Sequence, residues 1–186
     1  MTHNLNRLPP ADAEALLLAM CPRIGDHAPE LARRCGYLPL TLRVSAALLA
    51  ADETYAVAHY LTQLEAEHQQ PSADPKGDPH DPAASVTAAL ALSYAALPTP
   101  TQQAFAQLAV FVGSFDLPAA LAVVEPTTQD ALADTLALLV QRSLLHYDAD
   151  TARYTQPDLL RAYGRTRMSA PSSAKPACAT PATTLI

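Results

Sequence analysis

Within its patterned stretches, the helical period of this chain breaks once. Across residues 143–156, "SLLHYDADTARYTQ", Leu145 and Tyr147 alternate, Asp148–Thr151 supply turn residues, and Tyr154 returns. One short hairpin in a chain otherwise patterned for helices points to a mostly helical fold. Composition agrees. Hydrophobic residues make up 49% of the 186, and many are Ala and Leu, which favour helix. Aromatic residues are 5% and Trp is absent, so most packing must be aliphatic.

Two stretches lack any period. Residues 69–82, "QQPSADPKGDPHDP", read as a flexible linker, and residues 169–186, small and punctuated by Pro, as a disordered tail. They leave a unit at 1–68, patterned from residue 8 onward, and a second at 83–168. In the first, a helix from Asp12 to Met20 follows Pro9-Pro10. A second, from His27 to Cys35, stops at Gly36, which accepts positive φ without a Cβ clash. Pro39 opens the next at a position where its missing N–H would lack a partner anyway. Leu40, Val44, Ala47 and Leu48 form that helix's stripe, and Val57, Tyr60, Leu61 and Leu64 that of a fourth helix, about Thr54–Glu67.

In the second unit, Val86, Leu90, Ser93, Tyr94 and Leu97 share one face. Thr99 caps a helix with Pro100 in its first turn and Phe105, Leu108, Ala109 and Val112 inward. Asp116 caps a short helix carrying Leu117, Leu121 and Val124. Thr127 caps another, with Asp130 as a capping-box-like partner and Leu132, Leu136, Leu139 and Val140 inward. The hairpin follows, and a helix from about Pro157 to Met168 ends the pattern. The fold class predicted is mostly α: a helical bundle followed by a winged-helix domain with one β-hairpin.

Chemistry is sparse. Cys21, Cys35 and Cys178 show no metal or redox spacing, and their odd number suits a reducing compartment. The N-terminal residues hold no signal-like apolar run and no segment could span a bilayer, so a cytoplasmic protein is expected. His3, His27, His59, His68, His80 and His146 form no i, i+4 pair for a metal. Ser93 and Ser114 lack a G-x-S-x-G context. Cys35 lies beside Arg33 and Arg34, which would lower a thiol's pKa, but no base accompanies it. Catalysis by this chain alone is not expected. The net charge of −6 argues against broad binding to nucleic acid or an anionic membrane. The helix that would enter a DNA groove, about 127–142, carries Asp130 and Asp134 against Arg142. Arg161, Arg165 and Arg167 of the last helix would pack on the domain or on neighbouring parts.

Three segments in order carry a family likeness. "CPRIGDHAPELARRCGYLPLTLRVSAALLA" resembles the helical domain that follows the nucleotide-binding core of NB-ARC, or STAND-class, signalling ATPases, with "CGYLPL" at that family's Gly-Leu-Pro-Leu motif. "LALSYAALPTPTQQAFAQLAVFVGSFDL" and "RSLLHYDADTARYTQPDLLRAYG" resemble its winged-helix domain. The likeness covers about residues 8–168. It implies a regulatory, ADP-binding part of a nucleotide switch, in signal transduction or transcriptional regulation, with Gly36, Leu38, Pro39 and Leu40 as an adenine lid. Spacing alone leaves a second reading open: the turn only joins two helices. The family's phosphate-contacting Met-His-Asp is Gln156-Pro157-Asp158 here, so the sensor His is gone and Asp158 would cap or orient the last helix. None of Gly25, Gly36, Gly77, Gly113 and Gly164 sits in a P-loop. The resemblance puts that core upstream, so ADP or ATP is expected only together with it. The partners implied are that core and other signalling proteins, with an oligomer possible in the full-length protein. The alternative is a free-standing winged-helix module binding DNA or protein.

Overall fold

The computed structural model describes residues 7–68, 82–125 and 128–168. The proposed linker, apart from Pro82, the proposed tail and Thr127 lie outside them. Helix α1 (Pro10–Met20) is followed by a 3-10 helix (Pro22–His27), α2 (Ala28–Arg34), α3 (Pro39–Ala51) and α4 (Val57–His68). Then come α5 (Pro82–Ala95), α6 (Thr99–Leu108), strand β1 (Ser114–Phe115), α7 (Leu117–Leu121), α8 (Gln129–Gln141), the hairpin β2 (His146–Asp148) and β3 (Arg153–Thr155), and α9 (Asp158–Met168). The chain is thus mostly helical with a small antiparallel sheet, and α6–β1–α7–α8–β2–β3 is a winged helix.

Helix α3 is the hub. Thr41, Leu42, Val44, Ser45, Ala46, Ala47, Leu48 and Leu49 are all buried, so this helix is enclosed on nearly every side. The stripe read from the sequence was only part of it. Leu42, Ala46, Leu48 and Leu49 join a core with α1, α2 and α4. Val44, with Leu38 just ahead of the helix, joins a second core with Phe105, Phe115, Leu136 and Leu160. Helix α5 is shared in the same way: Ala88 and Ala89 face the first core, Val86 and Leu90 the second.

The sheet order is β1-β3-β2. Phe115 and Tyr147 both lie opposite Tyr154, one on each side of β3. Their rings form a row that continues from Phe115 to Phe111. The turn of the hairpin is held by Asp148, whose Oδ1 accepts from Asp150 N (3.0 Å) and Oδ2 from Thr151 Oγ1 (2.8 Å).

Three local readings are corrected. The N-cap of α6 is Pro98, without a side-chain bond, and both Thr99 and Pro100 lie inside the first turn. The cap of α8 is Thr128, whose Oγ1 accepts from Ala131 N at 3.3 Å. Val112 points outward at 79% exposure, because α6 ends at Leu108 and the helical period no longer applies. The Asp116 cap on α7 is as read, accepting from Ala119 N at 2.9 Å.

Candidate functional site

The turn between α2 and α3 is fixed from four directions. Tyr37 N donates to Ala32 O (3.1 Å) and Gly36 N to Arg33 O (3.0 Å), the paired bonds of a Schellman helix end. Gly36 has φ +63° and Tyr37 +58°, so two successive residues are left-handed. Glycine takes this without cost, whereas Tyr gives up about 1 kcal/mol. Thr41, buried in α3, places its Oγ1 3.0 Å from Cys35 O, at the end of the preceding helix, and 3.1 Å from Leu38 O, the N-cap residue of its own helix. Leu8 N donates to Tyr37 O at 2.8 Å. On the fourth side, a Cβ added at Gly36 would meet Ser85 of α5 at 3.5 Å, ordinary contact.

The predicted site residues divide on this scaffold. Leu38 is buried in the second core, Leu40 is half-buried against it, and Pro39 is exposed on the first turn of α3. Asp158 sits apart at the start of α9, its carboxylate 2.9 Å from Arg161 of the same helix. Among the described residues no hydrogen bond or ion pair joins Asp158 to the turn. Pro39 presents an exposed apolar ring on a rigid turn, but the residues around Asp158 do not suit a phosphate. Pro157 has no donor, Asp158 is an anion, and Arg161 is already engaged. Beside them the Gln156 amide is buried with neither polar atom partnered among the described residues.

Cys35 is no nucleophile. Arg33 and Arg34 turn away from it to Glu30, at 2.7 and 2.6 Å, and Arg34 also reaches Glu65 at 2.8 Å. Burial pushes the thiol up to about 12, against a weaker opposing bond from Ser45. The lowered pKa that its sequence neighbours suggested is overturned, since adjacent residues on a helix project in different directions. Ser45 in turn accepts from the Tyr60 hydroxyl at 2.8 Å. Among the described residues no group of three His, Cys, Asp or Glu could hold a metal ion, and no helix is long and apolar enough to cross a membrane.

In a DNA-reading winged helix, α8 would face the groove. Its exposed residues include Gln129, Asp130, Ala131, Asp134, Ala137 and Gln141, with no cation among them. Arg153 of the wing is spent on Ser114, through Nε to Oγ (2.7 Å) and Nη2 to the carbonyl (2.7 Å). On α9, Arg165 donates to Ala109 O at 3.1 Å, and Arg167 lies over the Tyr163 ring, 4.7 Å from its centre.

Comparison with known proteins agrees with the winged-helix fold. Residues 97–169 match the family model of a winged helix-turn-helix domain. Over 132 residues the chain is 36% identical to regulatory protein AfsR of Streptomyces coelicolor, which covers 70% of the chain and 13% of that protein. Against regulatory protein AfsR of Streptomyces griseus the identity is 31% over 140 residues, 75% of the chain and 14% of that protein. The matched part is therefore a small fraction of these relatives.

Proposed function

We propose that the chain is the regulatory, ADP-binding part of an NB-ARC-like nucleotide switch within a longer regulatory protein. The observation that carries this is the α2–α3 turn, rigidly held with Pro39 outward, in the sequence context "CGYLPL". The nucleotide's phosphates would be held by a core outside this chain, and the lid and the winged helix would close over it. A switch of this kind clamps ADP in its resting state and swings open when the nucleotide changes, freeing surfaces for other signalling proteins or for further copies. No residue here is assigned a catalytic role. A cytoplasmic location goes with the reading, as does similarity to proteins named regulatory.

A second reading, direct DNA binding, is favoured by the winged helix-turn-helix match itself. The acidic exposed face of α8 opposes it, because phosphate contacts need cations. Calorimetry with ADP and a salt series with duplex DNA, on one sample of the chain, separate the two. We expect ADP affinity no better than about millimolar, or about 4 kcal/mol, and no duplex binding at physiological salt. Tight duplex binding that falls steeply with salt would replace the switch with a DNA-reading role.

A further inference from the structure

Most cations of this chain are engaged within it. Among the described residues every arginine except Arg7, Arg43 and the half-buried Arg142 holds a hydrogen bond or an ion pair, and none of these residues is a lysine. Arg7 and Arg43 are exposed and hold neither there. Both stand beside the α2–α3 turn. Arg43 is one helical turn beyond Pro39, and residues at i and i+4 share a face with Cβ atoms roughly 6 Å apart. Helix α3 is fully exposed only at Pro39, Arg43 and its last two residues, so the ring and the guanidinium form one stripe on an otherwise covered helix. Arg7 is brought to the turn by its neighbour Leu8, whose N–H donates to Tyr37 O at 2.8 Å.

Charge makes this placement informative. The chain carries a net −6, and elsewhere its arginines find carboxylates: Arg33 and Arg34 meet Glu30, and Arg161 meets Asp158. Residues 31–51 contain no Asp or Glu, so nothing in α3 or in the turn neutralises Arg43. A guanidinium is a fork of donors matched to the oxygens of carboxylate and phosphate. Two of them at a rigid turn, beside an exposed apolar ring, suit a ligand with a flat ring at one end and an anion at the other. The start of α9 offers no such charge, since Arg161 is held by Asp158 at 2.9 Å.

We propose that Arg7 and Arg43 meet the phosphates of the nucleotide whose adenine lies on Pro39. This rests on the reading of the turn as an adenine lid and adds to it. The lid itself recognises the phosphates, alongside the core outside this chain, so the turn prefers ADP to adenosine.

Amide NMR titrations of the full chain test it, with adenosine, ADP and pyrophosphate as separate probes and the Gly36, Tyr37 and Leu40 amides as reporters. At low salt ADP is expected to bind on the order of fivefold more tightly than adenosine, the yield of two exposed ion pairs, and the advantage should shrink as salt is added. The double variant Arg7→Gln, Arg43→Gln should bring ADP to the level of adenosine and leave adenosine unchanged, while Arg43→Lys keeps part of the preference. Pro39→Ala should instead weaken both by the same factor. Equal affinities for ADP and adenosine in the natural chain, or a preference that survives the double variant, overturn the role of the two cations and leave the lid standing. Pyrophosphate that binds as tightly as ADP, with no response to adenosine, overturns the lid and this proposal with it. So does a turn that answers none of the three.

Discussion

Glu30 shows how far a single side chain can be read. It lies in the first turn of α2, where an anion suits the helix dipole, and Arg33 and Arg34 follow at i+3 and i+4. Hydrogen bonds from Arg33 and then Arg34 hold its carboxyl down to about 2, from an ordinary 4.5. The folded pKa lies below the unfolded one. The stabilisation is therefore complete above the ordinary value and is lost as pH falls toward 2. With Glu30 37% exposed, the contribution is held below about 1 kcal/mol. Carboxyl-carbon NMR should place the Glu30 midpoint near 2, and Arg33→Ala should raise it; a midpoint at the ordinary value would contradict these contacts. The i+3 and i+4 spacing stands in the sequence but went unread, because Arg33 and Arg34 were set against Cys35 instead. The role of Thr41 was not legible, because a helical Thr reads the same whether its hydroxyl meets water or the carbonyls of the turn before it. Gly36 and Pro39 were legible because backbone chemistry allows them few other places.

At the scale of elements, stripes on single helices were readable and their neighbours were not. Val57, Tyr60, Leu61 and Leu64 of α4 are buried as the periodicity requires. In α3, small residues such as Ala46 and Ser45 blurred the period, so its second buried face went unread. Strand β1 has only two residues, too few to alternate, and takes its form from pairing with β3. Gly164 in α9 lies tight against the end of α6. A Cβ there would lie 3.0 Å from Ala109 Cβ and 3.4 Å from Phe105 O. Replacing a helical Gly by Ala ordinarily gains about 1 kcal/mol. Here α9 would have to lift from α6, and overpacking of this kind costs about 1–3 kcal/mol. Gly164→Ala should therefore give no gain or a net loss in urea unfolding. A stabilisation near 1 kcal/mol would show that the two helices are not in close contact.

Across the whole molecule, the two patterned regions are joined by shared helices. Helices α3 and α5 each contribute to both cores, so packed side chains run without a break from the bundle to the winged helix. The sequence pattern carried the order of elements and the winged helix, because a helical period followed by a hairpin has few other solutions. It did not carry the sharing of cores, which depends on contacts between residues far apart in the chain. The functional reading rests on one claim, that Pro39 closes on an adenine when a nucleotide-binding core is present. The direct measurement is ADP affinity with that core supplied in trans, for the natural chain and for Pro39→Ala. The account predicts that the core raises affinity above that of the chain alone, and that Pro39→Ala loses part of the gain. If Pro39→Ala leaves the affinity unchanged, the turn is a helix junction and nothing more.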